Sequence, residues 1–168
     1  MALLDILTER QATIREKWLD RIRRTYPDET FLLLKNKKSQ FGNPVGHAIN
    51  GMVEDIVSRL LSDEDTLDLS DHTKEFIKIR AVQEFKSKEA IGFIFFLKDV
   101  LREVTGDALK DNLDELFVLY SRIDQLALSV FDTYMENREK MYDIKSNELR
   151  MRTVRLLEYS KYSKRVDS

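Results

Sequence analysis

The most constraining feature of this chain is its last third, where no glycine or proline occurs from Leu109 to about Tyr159. Most residues in this stretch are good helix formers, so the sequence predicts one helix of roughly 50 residues. Ordinary globular helices have about 11 to 12 residues. A helix this long is therefore expected to extend beyond the globule that it packs against.

Apolar residues divide the predicted helix into two parts. In the first part they alternate spacings of four and three, which is typical of a coiled-coil-like stripe packed on the rest of the domain. The members of this stripe are Leu116, Tyr120, Ile123, Ala127, Val130 and Tyr134. Beyond Tyr134 apolar residues become sparse. We therefore predict a core domain at residues 1–135 and, at residues 136–168, an extension of the last helix that ends in a basic tail.

The sparse apolar residues of the extension suggest a surface for another chain. We predict a dimer or partner-binding face that consists of Tyr134, Met141, Tyr142, Leu149 and Leu156. Basic residues outnumber acidic ones from Arg150 to Arg165, and pairing with another helix is favoured over binding to lipid or nucleic acid. A homodimer is the expected assembly, and a protein partner that contacts the C-terminal helix is also possible.

Helical spacing of apolar residues predicts about five helices upstream of the long one. They begin near Leu3, Asp28, Asn43, Ser70 and Ser87. The clearest start is Asn43 followed by Pro44, because asparagine caps a helix and proline fits its first turn. Gly46 and Gly51 remove side-chain bulk where another helix could approach. The predicted fold is an all-α bundle of about six helices.

The predicted fifth helix, from Ser87 to near Gly106, is the expected centre of the core. Its apolar residues wrap most of the circumference, which indicates burial on several sides. A β-strand from Phe93 to Leu97 is the alternative, but no partner strand with period-two alternation is evident. We therefore predict an unbroken helix here.

Composition narrows the class of protein. The chain has 168 residues, 42% hydrophobic and 35% charged, with a net charge of -2 and no cysteine. One domain is the default at this length, and the slightly acidic balance argues against a nucleic-acid binder. The longest apolar run, Ala90 to Leu97, is shorter than the roughly 18 to 20 residues that span a bilayer. We expect a cytoplasmic protein without a signal peptide or membrane span.

No catalytic motif is evident. The two histidines, His47 and His72, belong to no metal-binding pair, and there is no glycine-rich phosphate loop or paired acid motif. We therefore predict no enzyme, no metal and no cofactor. A haem protein is the alternative, because either histidine could be an axial ligand, but a capping or surface histidine is favoured.

Two further features could form a ligand site. The first is a set of aromatic residues that could line an apolar cavity: Phe85, Phe93, Phe96, Phe117 and Tyr120. Aromatic residues at helical spacing more often belong to a packed core. The second is Arg80, which lies in a segment apolar enough to be packed. A buried guanidinium needs a carboxylate or helix-end carbonyls, and we favour a structural clamp over a ligand-binding arginine.

Three segments carry a family resemblance: Phe41-Gly-Asn-Pro-Val-Gly46, Ile79-Arg-Ala-Val-Gln-Glu-Phe85 followed by Ser87, and Phe96-Leu-Lys98 leading to Leu101-Arg102. In this order and spacing the chain resembles the RsbRD N-terminal domain family, the sensor half of RsbT co-antagonist proteins. The positions with predicted structural roles in these segments are Phe41, Asn43, Pro44, Arg80 and Gln83. The resemblance covers nearly the whole chain.

This resemblance implies a globin-like fold that holds no haem, is usually paired as a dimer, and extends its last helix as a linker toward a signalling output. The chain stops after the linker helix, and no STAS output domain follows, so we expect a stand-alone form. The predicted function is a non-enzymatic regulatory sensor that resembles the N-terminal domain of RsbR-type stressosome proteins. A haem or small apolar ligand-binding globin-like protein is the alternative.

Overall fold

The computed structural model describes residues 2–35, 42–62, 68–83 and 85–166. These residues form eight α-helices and one 3-10 helix, with no β-strand among them. The α-helices are α1 (Leu3–Glu9), α2 (Gln11–Arg23), α3 (Asp28–Lys35), α4 (Pro44–Leu60), α5 (Asp71–Val82), α6 (Ser87–Gly92), α7 (Phe96–Thr105) and α8 (Leu113–Val166), and the 3-10 helix is Gly106–Asp111. The predicted all-α fold with a long C-terminal helix is confirmed.

Two helices that were predicted as continuous are each broken, which accounts for the larger number of helices. The first breaks at Arg10, which has non-helical dihedral angles and donates a hydrogen bond to the Val104 carbonyl. In the predicted fifth helix the α-helical bonding is interrupted at residues 93–95, between α6 and α7. The backbone at this break tightens into i to i+3 hydrogen bonds but keeps helical dihedral angles at Phe93 and Phe95. There the Phe93 carbonyl accepts a hydrogen bond of 2.8 Å from the indole Nε1 of Trp18. This long-range bond ties α2 to the break, and helical periodicity alone could not reveal it.

The core lies between α2, α4, α5, α7 and the first half of α8. Its centre is aromatic: Phe93 stacks on Trp18 with ring centroids 6.4 Å apart and meets Phe76 edge to face at 5.2 Å. All three side chains are fully buried. Offset and edge-to-face pairs of this kind stabilise a core beyond the area that they bury.

The start of α4 forms as predicted. Pro44 occupies its first turn, and the Asn43 side chain accepts a hydrogen bond of 2.9 Å from the Gly46 amide. A Cβ at Gly46 would lie 2.3 Å from the Asn43 side chain, so this glycine makes room for the cap rather than for another helix. Gly51 does make room for another helix, because its missing Cβ would meet the His72 ring of α5 at 2.6 Å. Phe41 lies outside the described residues.

The long helix α8 has 54 residues and spans about 80 Å. Its buried residues lie in the first half, and the last of them is Tyr134. Two arginines of α8 also bond to the ends of other helices. Arg122 donates to the carbonyls of Arg59, Leu60 and Ser62 at the end of α4, and Arg138 donates to the Ala81 carbonyl at the end of α5. Helix α8 therefore packs along the domain and caps two of its helices.

Among the described residues, no helix is both long and apolar enough to span a membrane.

Candidate functional site

Arg80, near the end of α5, is the most unusual residue of the core. Its side chain is fully buried, with 0% exposed. One terminal nitrogen, Nη2, donates to the Thr25 hydroxyl at 2.7 Å, while Nη1 lies 3.5 Å from the Glu89 carbonyl. No carboxylate in the described part of the chain pairs with it. The predicted carboxylate is thus missing, and only one long carbonyl contact matches the prediction.

Aromatic rings surround the Arg80 guanidinium. Its Cζ lies 4.2 Å from the ring centroid of Phe85, 4.7 Å from that of Tyr26, 5.1 Å from that of Phe76 and 5.6 Å from that of Phe93. Cation–π attraction at these distances partly replaces the hydration that burial removes. Phe85, in turn, meets Tyr26 edge to face at 5.4 Å.

Burial dominates the electrostatics of this site. It lowers the pKa of Arg80, and the neighbouring Tyr26 phenol opposes the shift. Burial also raises the pKa of Tyr26, whose hydroxyl lies 3.3 Å from the Gln83 side-chain oxygen. Arginine keeps its charge in proteins, so the core contains a cation. The Nε atom of Arg80 is buried and has no hydrogen-bond partner among the described residues.

An open cleft of about 500 Å³ lies beside this cation. Its lining residues are Thr25, Phe85, Lys88, Glu89, Gly92 and Phe96, and we call it the Arg80 cleft. Three of them also contact the guanidinium: Thr25 and Glu89 through hydrogen bonds, and Phe85 through its ring. The cleft and the buried cation therefore share a wall.

The structure separates the five aromatic residues that were predicted to line one cavity. Phe85 and Phe96 line the Arg80 cleft together, and Phe93 is buried behind them in the core. Tyr120 does not line this cleft. Its hydroxyl donates a hydrogen bond of 3.1 Å to the Lys98 carbonyl. Phe117 is 62% exposed on α8, so its predicted place in a core cavity is wrong.

The two histidines meet at the surface between α4 and α5. Their rings are edge to face at 5.8 Å, and His72 Nδ1 lies 2.9 Å from an Asp55 carboxylate oxygen. Partial burial tends to raise the pKa of Asp55. Hydrogen bonds with His72 and Ser70 and nearby positive charge outweigh burial, so this pKa lies below its usual value. Neither histidine lines the Arg80 cleft.

No group of three or more potential metal ligands occurs in the part of the chain that the structure describes.

A second candidate surface runs along the exposed side of α8. Large apolar residues recur there at every seventh position: Leu128, Met135, Tyr142, Leu149 and Leu156. Their exposed fractions are 59%, 38%, 59%, 64% and 70%. The positions three residues after each are Phe131, Arg138, Lys145, Arg152 and Tyr159. We call these ten residues the α8 seam.

The α8 seam includes three of the five residues predicted to face a partner, Tyr142, Leu149 and Leu156. Met141 is half-buried beside them. Tyr134 is only 3% exposed and packs in the core, so it is wrongly placed in the predicted partner face. Helices pair through apolar residues at two positions of a seven-residue repeat. In the α8 seam the first position is apolar throughout, and the second is aromatic only at Phe131 and Tyr159.

Comparison with protein families identifies the family of this chain. Residues 12–149 match the family described as the RsbT co-antagonist protein rsbRD N-terminal domain. The chain belongs to this family. The matched region of this RsbRD N-terminal domain contains Arg80, the cleft beside it and α8 as far as Leu149. No curated protein and no solved structure matches the chain.

Three arginine contacts, one in the site and two that hold α8 on the core, could not be predicted from the sequence. Thr25 as the partner of Arg80 and the two capping arginines of α8 are long-range contacts, separated along the chain by more than 50 residues. A local pattern carries no signal for such pairs. The α8 seam could have been found, because its seven-residue spacing is visible in the sequence.

Proposed function

We propose that this domain is a non-enzymatic regulatory sensor of the RsbR type, which acts in the cytoplasm and signals through dimerisation along its long C-terminal helix. Family membership supports the regulatory class. The α8 seam is the observation that carries the dimer and the signalling role. Its output passes to a protein partner that binds α8.

The exposed half of α8 is the physical reason to propose a partner. Every described side chain from residue 143 to residue 163 is exposed. Isolated helices gain little stability from propensity alone, and most helical stability in proteins comes from packing an apolar face. A second helix on the α8 seam would supply this packing. Covering Leu149 and Leu156 would remove apolar surface that is otherwise exposed to water.

The charges of the α8 seam indicate how such a dimer should respond to salt. Lys145 and Arg152 lie between the apolar positions, so parallel pairing of two copies in register brings like charges together. Salt screens such repulsion, with a Debye length of about 10 Å at 0.1 M. A homodimer should therefore tighten as salt is added, whereas a complex with an acidic partner helix should weaken.

Sedimentation equilibrium tests this proposal. We expect the wild-type chain to dimerise at micromolar to tens of micromolar concentrations. The double variant Leu149→Glu, Leu156→Glu should weaken association at least about tenfold, because two charges would enter the apolar interface. The matched control is Ile144→Glu with Met151→Glu, which has the same spacing on the same helix but lies on another face.

A wild-type chain that stays monomeric at tens of micromolar contradicts dimerisation. Equal weakening by the seam variant and the control variant contradicts the seam as the interface.

A small apolar ligand-binding protein is the second candidate, and the Arg80 cleft favours it. The cleft has apolar walls from Phe85 and Phe96 and one strong polar group behind them, which is typical of ligand sites. The haem version lacks such support, because His47 and His72 lie together at the surface and outside the cleft. An absorbance spectrum after addition of hemin tests it: no Soret shift is expected.

A further inference from the structure

The Arg80 guanidinium has unused hydrogen-bonding capacity. A guanidinium has five N–H donors. Here the Thr25 hydroxyl accepts one bond of 2.7 Å, the Tyr26 hydroxyl is a second neutral acceptor, the Glu89 carbonyl lies at 3.5 Å, and Nε has no partner in the described part of the chain. A buried charge with so few acceptors is costly unless an opposite charge completes it. No anionic acceptor pairs with it among the described residues, and an anionic ligand would supply one.

The Arg80 cleft lies against this guanidinium, which is itself fully buried and is separated from the cleft by its wall. Thr25 and Glu89, the two residues that hydrogen-bond to the guanidinium, also line the cleft. A carboxylate that entered there could replace the long Glu89 contact and receive two parallel N–H bonds, which is the strongest geometry for this pair. The Phe85 ring forms a wall of the cleft and stacks over the guanidinium at 4.2 Å.

The rest of the cleft suggests the body of the ligand. Phe85 and Phe96 give it apolar walls, and Gly92 contributes no side chain. Lys88 and Glu89 lie at the exposed side and oppose each other in charge. With Arg80 included, the cleft has one net positive charge, which fits a ligand with one negative group.

We propose that the Arg80 cleft binds a small carboxylate with an apolar body, and that the carboxylate pairs with Arg80. Binding itself does not depend on the sensor function proposed above. Only the idea that this ligand is the signal rests on that function. If the chain does not dimerise, the proposed binding site still stands. If the chain does not bind the ligand, the proposed dimer still stands.

Isothermal titration of the full chain with phenylacetate tests the proposal. For a ligand of this size we expect a Kd on the order of 0.1 to 1 mM. The neutral analogue 2-phenylethanol, which has the same apolar body, should bind at least about tenfold more weakly. Equal affinity for the two compounds would overturn the role of the charge.

Two variants locate the site. Arg80→Met should lower the affinity for phenylacetate at least tenfold. Gly92→Leu keeps Arg80 and should block the cleft, because a Cβ at Gly92 meets nothing within 4 Å and its side chain has room to fill the space. The control is Arg102→Met, an exposed arginine of α7, which should bind as wild type does. Circular dichroism checks that each variant is folded.

The Gly92→Leu variant keeps the proposal testable if Arg80→Met does not fold. Binding that survives Gly92→Leu unchanged would overturn the cleft as the site. The proposal also fails if neither phenylacetate nor octanoate produces a binding isotherm with the wild-type chain at 20 mM.

Discussion

At the scale of single residues, Arg80 shows what a sequence can and cannot reveal. Its apolar neighbours predict burial, because a segment rich in Ile79, Ala81 and Val82 has to pack somewhere. They cannot predict the partner, because Thr25 and Phe93 come from distant parts of the chain. Of the two expected kinds of partner, a carboxylate or helix-end carbonyls, the described residues supply only one long carbonyl contact, and aromatic rings surround the guanidinium instead.

Substitutions of Arg80 test whether its guanidinium stabilises the fold. Burial of the guanidinium destabilises the fold by several kcal/mol. Its cation–π contacts and one good hydrogen bond stabilise the fold by roughly the same amount. We therefore expect Arg80→Met to change the free energy of unfolding by less than about 1 kcal/mol. Arg80→Lys should cost about 2 to 4 kcal/mol, because an ammonium is strongly hydrated and lacks the planar fork.

Urea unfolding measures both effects. A loss of several kcal/mol in Arg80→Met would show that the guanidinium is a structural clamp, and the expectation above would then be wrong.

The pair of His72 and Asp55 gives a pH-dependent contribution to stability. The pKa of Asp55 is lowered in the folded state. A depressed carboxyl pKa stabilises the fold above the unfolded value of about 3.9 and ceases to do so as pH falls through the folded value. Because both side chains are partly exposed, Asp55→Asn should cost only about 0.5 to 1 kcal/mol at pH 7.

Urea unfolding at several pH values checks this prediction. The difference between wild type and Asp55→Asn should shrink as pH falls below about 4. The exposed Asp132→Asn variant is the control and should show no difference at any pH. A difference for Asp55→Asn that persists unchanged into strong acid would contradict an ionic origin.

At the scale of helices, local signals predict starts better than they predict continuity. Asn43 and Pro44 place the start of α4 correctly, because capping is a property of a few adjacent residues. Ser87 lies in the first turn of α6, and Lys86 is the residue at the cap position. The breaks at Arg10 and after Gly92 were not predictable, and each lies beside a hydrogen bond between distant parts of the chain. Periodicity continues across such breaks without a visible change.

Arg122 gives a test of how α8 stabilises its neighbours. Its three bonds of 2.9 to 3.1 Å go to carbonyls at and just beyond the end of α4, of which that of Arg59 also accepts from the Ser62 amide and hydroxyl. Hydrogen bonds to a charged donor contribute about 1.5 to 3 kcal/mol, so Arg122→Ala should lower the free energy of unfolding by about that amount. Arg122→Lys should recover part of it.

Thermal and urea unfolding measure this loss, with the exposed Arg102→Ala as the control, which should cost less than about 0.5 kcal/mol. An Arg122→Ala variant as stable as this control would mean that water replaces the three bonds without cost.

At the scale of the whole molecule, the length of α8 was predictable and its division was only partly so. The absence of glycine and proline predicts the long helix, and the change of pattern at Tyr134 marks where burial ends. The structure adds that Arg138, inside the predicted extension, bonds to the Ala81 carbonyl at 3.0 Å and to the Tyr142 hydroxyl at 2.9 Å. We therefore propose that the folded core ends near residue 143 rather than at 135.

Truncation tests this boundary and the two roles of α8 together. A chain that ends at Asp143 keeps Tyr134 in the core and Arg138 on the end of α5, so its unfolding midpoint should stay within a few degrees of the monomeric full-length value. It loses Leu149 and Leu156, so association should weaken at least about tenfold. A chain that ends at Met135 also loses the Arg138 bond and should unfold with about 1 to 3 kcal/mol less free energy.

Two measurements on both truncated chains distinguish these effects. Sedimentation measures association through the α8 seam, and urea unfolding measures the stability of the core. Unfolding of the chain that ends at Asp143 would mean that the exposed half of α8 is needed for the core. Equal stability of the two truncated chains would place the end of the core at residue 135, because the Arg138 bond would then make no measurable contribution to the free energy of unfolding.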